Sequence, residues 1–186
     1  MLEFVRHGKM NATEKDVPQL EESFIEEAER IISQYPVSKR SASLPLLHLW
    51  QKHFGFVSPQ GVQWIAEKLD LEPIAVEEIA TFYPMIRQRP LGHYQFKVCR
   101  TLSCALAGSY EIFEYIKKSC KTVNEVGHHV YVSEDGKFSV EFVECLAACG
   151  NAPVMMLNEE EWMDVTQTKI DAILNHLMRE KKKEEF

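Results

Sequence analysis

The chain has 186 residues, 45% of them hydrophobic and 26% charged, ordinary proportions for a globular protein with a real core. Lys and Arg number 21 against 28 Asp and Glu, a formal charge of −7, which argues against a nucleic-acid partner, since that would need a basic patch. No apolar run reaches the ~20 residues of a membrane span. The N-terminus, M-L-E-F-V-R-H-G-K-M-N-A-T-E-K-D, lacks an apolar signal core and is too acidic for a transit peptide, so a cytosolic chain is the simplest reading.

Residues 1–18 read as a polar tail, with Pro18 placed for a first helical turn. Leu20, Phe24, Ile25, Ala28, Ile31, Ile32 and Tyr35 recur at helical spacing and stop at Tyr35-Pro36. A second helix is expected over Ser43 to Phe54, with Gly55 as its stop signal. Ser58-Pro59 opens a third, as an N-cap followed by proline, and Glu72-Pro73 opens a fourth that halts near Tyr83-Pro84. Residues 19–90 therefore read as a small helical bundle without a catalytic constellation. Phe82 and Tyr83 are read as helix-end packing rather than as partner contacts.

The stretch R-Q-R-P-L-G-H, residues 87–93, is the linker candidate. Beyond it Tyr94, Phe96 and Val98 alternate with polar residues, as in a strand. Helical spacing returns from Leu106 to about Ser119, through Tyr110, Phe113 and Ile116. Asp135-Gly136 is a turn signal, and Phe138, Val140 and Phe142 alternate again. Val154 to Leu157 and Trp162 to Val165 read as a hairpin across an E-E-E turn, and Thr166 caps a last helix bearing Ile170, Ile173, Leu174 and Leu177. Residues 91–180 thus form an α/β domain, and residues 181–186 a charged tail. There is no internal repeat and no low-complexity segment.

Four cysteines carry the chemistry. Cys99 and Cys104 form a C-x4-C pair at the end of the first strand of this domain, and Cys145 and Cys149 a C-x3-C pair after the second. A strand, crossover helix and strand in one sheet make parallel strands, whose carboxyl ends share one sheet edge, where α/β sheets commonly bind ligands. Both pairs should converge there. Reduced thiols packed together need a cation, either structural zinc or an iron–sulfur cluster. Zinc tolerates intervals of four and three but seldom combines them, whereas C-x4-C occurs in plant-type 2Fe–2S ferredoxins, so the spacing favours the cluster and leaves a zinc-stapled interaction module as the alternative. A dithiol of the thioredoxin kind fails, because that chemistry uses C-x-x-C. The small apolar residues Leu102, Ala105, Leu106, Leu146, Ala147, Ala148, Ala152 and Pro153 would sheathe the site. With no nucleophile motif, acid–base pair or phosphate loop, the natural role is to carry electrons. His128 and His129 are read as loop residues rather than Rieske-type ligands, since four cysteines satisfy two irons. Cys120 is read as a thiol near a helix end without a ligand role, and Arg100 as a solvent-screened cation.

V-C-R-T-L-S-C-A-L-A-G-S, E-C-L-A-A-C-G-N-A-P-V-M-M-L-N and the helical stretches L-P-L-L-H-L-W-Q-K-H-F-G-F-V-S-P and A-T-F-Y-P-M-I together resemble the small ferredoxin-like (NuoE) subunit family of respiratory complex I, over about residues 19 to 179. The resemblance implies an α+β chain in which a helical bundle precedes a thioredoxin-like domain, with one 2Fe–2S cluster ligated by Cys99, Cys104, Cys145 and Cys149. It implies as partner an FMN- and NADH-binding subunit with a 4Fe–4S cluster, alongside further peripheral-arm subunits. The expected location is the inner face of the bacterial plasma membrane, held through the complex rather than by insertion. Related small subunits serve NAD-linked hydrogenases and formate dehydrogenases, and these motifs do not separate the assemblies. Family members often carry glycine where this chain has Ala147, a difference that matters only if the position needs a positive φ.

Overall fold

The computed structural model describes residues 20–127 and 129–184, with the side chains after Leu177 excepted. The expected N-terminal tail, the Pro18 helix start and His128 lie outside the described residues. The chain falls into two compact units that divide between Pro90 and Leu91.

The first unit holds helices α1 (Glu22–Ser33), α2 (Ser43–Phe54), α3 (Pro59–Leu69) and α4 (Pro73–Phe82), with a short 3-10 turn at Lys39–Ala42 before α2. Local chemistry sets the helix ends. Gly55 takes the left-handed conformation (φ 81°) that closes α2, and its N–H bonds the Gln51 carbonyl at 2.7 Å. The Ser58 hydroxyl accepts the Gly61 N–H at 3.2 Å, the N-cap that its place before Pro59 implies. The core gathers Phe24, Leu46, Leu47, Trp50, Ile65 and Val76, with the Phe24 and Trp50 rings edge-to-face at 5.9 Å. Tyr83 packs against this core, but Phe82 is 75% exposed. Helix-end packing therefore accounts for Tyr83 and not for Phe82.

The second unit is built on one mixed sheet. Its elements are β1 (Tyr94–Cys99), α5 (Leu102–Leu106), α6 (Ser109–Ser119), β2 (Thr122–Gly127), β3 (Val130–Ser133), β4 (Phe138–Val143), β5 (Met155–Leu157), β6 (Glu160–Trp162) and α7 (Gln167–Glu184). The strand order is β2-β3-β4-β1-β5-β6. At the centre β1 and β4 run parallel in a register from Tyr94↔Phe138 to Cys99↔Val143, and antiparallel strands flank them on both sides. The chain is α+β with this mixed sheet, as the resemblance implies. The core combines Phe96, Val98 and Val140 with Phe113, Ile116, Ile170 and Leu174 from the helices. Phe113 stacks on Phe142 at 3.9 Å between ring centres.

Two expectations shift, and one hairpin is added. The helix expected from Leu106 is two helices with a turn at Gly108 (φ 95°), so α6 buries Ile112, Phe113 and Ile116, while Leu106 stays 81% exposed and Tyr110 49%. The strand expected at Trp162 to Val165 ends at Trp162, and Val165 instead joins the core, its N–H bonded to the Pro153 carbonyl at 3.0 Å. The β2–β3 hairpin carried no sequence signal. It is an irregular edge on which Val123, Asn124 and Glu125 are exposed, which removes the alternation that betrays a strand.

Candidate metal centre

Parallel pairing brings the two cysteine loops together. Cys99 is the last residue of β1, and its N–H bonds the Val154 carbonyl at 3.1 Å. The next N–H, of Arg100, bonds the carbonyl of Val143 at 3.0 Å, the last residue of β4. The carboxyl ends of the two strands are thus pinned at one edge. Thr101 leaves in an extended conformation, and the single turn of α5 directs Cys104 inward. The second loop leaves β4 at Glu144, passes Cys145, and makes a 3-10 turn at Cys149–Asn151. That turn is held from behind, since the Asp164 N–H bonds the Asn151 carbonyl at 2.8 Å.

The four sulfurs form two pairs with different surroundings. Cys99 and Cys104 are each 1% exposed and pack with Val154, Leu146, Ala148 and Ala152, whereas Cys145 and Cys149 are exposed. Cys145 Sγ lies 3.8 Å from Cys149 Sγ, and Cys99 and Cys104 share one buried apolar pocket with Val154. Among the described residues, no three His, Cys, Asp or Glu side chains stand as the ligand set of one ion. The thiols thus group two by two, an arrangement that a binuclear cluster with two thiolates per iron would use.

Electrostatics separates the sulfurs further. Burial alone would raise the Cys99 thiol, but the Thr101 hydroxyl, the N–H groups of Thr101 and Leu146, and Cys104 together bring it below its ordinary value. Cys104 is raised, first by burial, then by its bond to Cys99 and the nearby charges of Cys99 and Cys149. Cys145 is lowered by the Ala147 N–H, which reaches its sulfur at 3.3 Å, and then by the Thr101 hydroxyl and Cys149. Backbone donors aimed at sulfur in an apolar sheath suit thiolates that must carry charge out of water, and the donor set fits a 2Fe–2S cluster. Cys120, by contrast, lies in the core of the second unit, where burial and then Asp135 push its thiol up to about 12, so it stays protonated. His129 lies at φ 58° after β2, its ring 6.2 Å from that of Phe142.

Two residues acquire roles that spacing did not reveal. Ala147 sits at φ 64°, the left-handed region, and this turns its N–H toward Cys145. A β-carbon there costs about 1 kcal/mol or more relative to glycine. Ala147→Gly should therefore stabilise the protein by about 0.5–1 kcal/mol after the extra unfolded-state freedom of glycine is subtracted, measured as a rise of a few degrees in thermal midpoint. Arg100 is not a free cation. Its Nε and Nη2 both bond Glu144 Oε1, the former at 3.1 Å, so the pair beside the cysteines is close to neutral. The guanidinium side chain is 41% exposed, so salt screens it. Arg100→Gln uncovers a carboxylate and should lower the midpoint potential, and Glu144→Gln should raise it. Each shift should be on the order of tens of millivolts and fade at high salt, as a redox titration at two ionic strengths would show.

A family model described as thioredoxin-like 2Fe-2S ferredoxin matches residues 28–178. An NADH-quinone oxidoreductase subunit of Rickettsia bellii is 38% identical over 152 residues, which make up 81% of this chain and 88% of that protein. An NADH-quinone oxidoreductase subunit of Thermus thermophilus is 35% identical over 167 residues, covering 89% of this chain and 88% of the relative. Among solved structures, an NAD+-reducing NiFe hydrogenase in its air-oxidized state shares the fold at a TM-score of 0.61 and 17% identity, over 74% of this chain and 23% of the hydrogenase chain.

Proposed function

Because the chain belongs to the thioredoxin-like 2Fe–2S ferredoxin family, we propose that it is the electron-transfer subunit of the NADH dehydrogenase module of an NADH:quinone oxidoreductase. Its cofactor is one 2Fe–2S cluster, which we assign to Cys99, Cys104, Cys145 and Cys149. Residues 91–180 are the cluster-bearing domain in this reading and residues 19–90 the helical domain. The observation that carries it is that both cysteine loops leave the common carboxyl edge of the parallel strands β1 and β4, each carrying two thiols. When bound, the cluster supplies one-electron exchange without moving a proton. The buried pair excludes water, the backbone N–H groups stabilise charge on sulfur, and the exposed pair marks the side from which an electron arrives.

Relatives at 35–38% identity are named as subunits of NADH-quinone oxidoreductase, and in this reading the chain is likewise one subunit of the oxidoreductase. The partner we infer is the FMN- and NADH-binding 4Fe–4S subunit, which would take up the hydride and pass single electrons. Leu102 and Leu106, 74% and 81% exposed on the same short helix as Cys104, offer that partner an apolar surface beside the site. Among the described residues, no helix is long and apolar enough to cross a membrane. The assembly would hold this subunit at the cytoplasmic face without insertion. Relatives named for a quinone reaction match at 35–38% identity, against a shared fold alone for the hydrogenase, which favours quinone as the final acceptor.

Anaerobic purification with the native partner tests the reading. A coloured protein is expected, with an electron paramagnetic resonance signal after one-electron reduction and NADH oxidation coupled to quinone. A colourless protein with zinc as its only metal would instead make it a stapled interaction module.

A further inference from the structure

The Thr101 side chain lies at a place no cysteine spacing indicates. Its Oγ1 is 3.1 Å from Cys99 Sγ, one of the two buried sulfurs of the site. Thr101 is fixed there from both sides, since the residue before it is bonded to the end of β4 and the Thr101 carbonyl accepts the Ala105 N–H at 2.9 Å in the first turn of α5. A thiolate holding iron has no proton to donate, so across this contact the threonine O–H must donate and the sulfur accept.

We propose that Thr101 is a redox-tuning residue, its hydroxyl donating to the sulfur of Cys99 and holding the site more readily reducible than the backbone donors would alone. The inference rests on the 2Fe–2S reading above. Adding one electron to an all-thiolate site increases the negative charge on its sulfurs, and a hydrogen bond to a charged acceptor strengthens with that charge. The bond thus favours the reduced form. It lies beside Cys99, which is 1% exposed, and the low polarity there increases its weight. Ala147 and Leu146 also offer N–H groups to these sulfurs, but their donors belong to the backbone and survive any substitution, whereas the hydroxyl can be removed without altering the loop.

The test uses the full chain loaded with its cluster under anaerobic conditions. Thr101→Val keeps the shape and deletes the donor, Thr101→Ala deletes both donor and methyl, and Thr101→Ser retains the donor. Visible absorption and the resonance spectrum of the reduced parent protein first establish that the cluster is present. Its absence in the parent would sink the 2Fe–2S reading, a failure distinct from that of the tuning proposal. The valine and alanine variants are expected to be about fivefold harder to reduce, a midpoint lower by about 40 mV at 59 mV per tenfold for one electron. The serine variant should stay near the parent. An unchanged midpoint in Thr101→Val or Thr101→Ala with the cluster intact would overturn the proposal. So would failure of both to hold a cluster while circular dichroism shows the fold preserved, because a tuning contact is dispensable for assembly.

Discussion

Cys99→Ala, Cys104→Ala, Cys145→Ala and Cys149→Ala should each remove the cluster, read as loss of visible absorption and of bound iron and sulfide. Each cysteine would supply one of the four thiolates that two irons require, so iron per chain should fall by about 10-fold or more. Cys120→Ala is the control that gives this its force. That thiol is buried in the core of the second unit and raised to about 12, so its removal should cost about 1–2 kcal/mol of packing and leave the cluster in place. The ligand variants should also divide by stability. Cys99 and Cys104 stand in the apolar pocket with Val154, and Cys145 and Cys149 at the surface, so the metal-free alanine variants of the first pair should lose more thermal stability than those of the second. Once Cys99→Ala is assembled with the flavin partner, its NADH oxidation separates two roles. A rate that falls with cluster content marks a relay, and an unaltered rate marks an electron store.

That the two cysteine loops would leave one sheet edge was legible in the chain alone for a physical reason. Convergence follows from topology: a strand ending in Cys99, a crossover and a strand ending before Cys145 can make a parallel pair in only one sense, and β1 and β4 do so in register. The helix ends at Gly55 and Ser58-Pro59 were legible because caps are local interactions written in neighbouring residues. What stayed hidden depends on contacts that spacing cannot encode. The β2–β3 edge is exposed and bulged, so burial never imposed an alternating pattern on it. The helical period through Leu106 and Tyr110 continued across a turn that the left-handed Gly108 inserts. The partnership of Arg100 with Glu144 spans two loops, and the contact of Thr101 with Cys99 depends on how the chain turns from β1 into α5. Ala147 was visible as an oddity, but its strain could be read only from its φ of 64°.

Gly92→Ala should be among the most destabilising single substitutions in the second unit. In the sequence Gly92 is, with Pro90, a breaker in the linker candidate R-Q-R-P-L-G-H. In the structure it is buried, and a β-carbon placed there would fall on the carbonyl carbon of Phe138 and the nitrogen of Ser139, closer than atoms approach. Both obstacles are backbone of β4, so no side-chain rotation relieves them. The chain could yield only by lifting the start of β1, which would break the Tyr94 N–H bond to the Lys137 carbonyl (2.8 Å) and the first step of the central register. Overpacking costs about 1–3 kcal/mol where side chains can adjust, and here the upper end or beyond applies. For a unit of this size about 3 kcal/mol lowers the thermal midpoint by roughly 10–20 °C. Gly150→Ala tests whether close approach, rather than loss of glycine as such, is responsible. A β-carbon added at Gly150 would meet nothing within 4 Å, and the φ there is not left-handed. Although it adjoins Cys149, this substitution should change stability by less than about 0.5 kcal/mol. The disturbance at Gly92 should also reach the cluster. Tyr94 and Cys99 are the two ends of one strand, and a β1 that loses its register with β4 no longer presents Cys99 and Cys104 opposite the second loop. Cluster content in Gly92→Ala should fall together with the midpoint, while in Gly150→Ala both stay at the parental level.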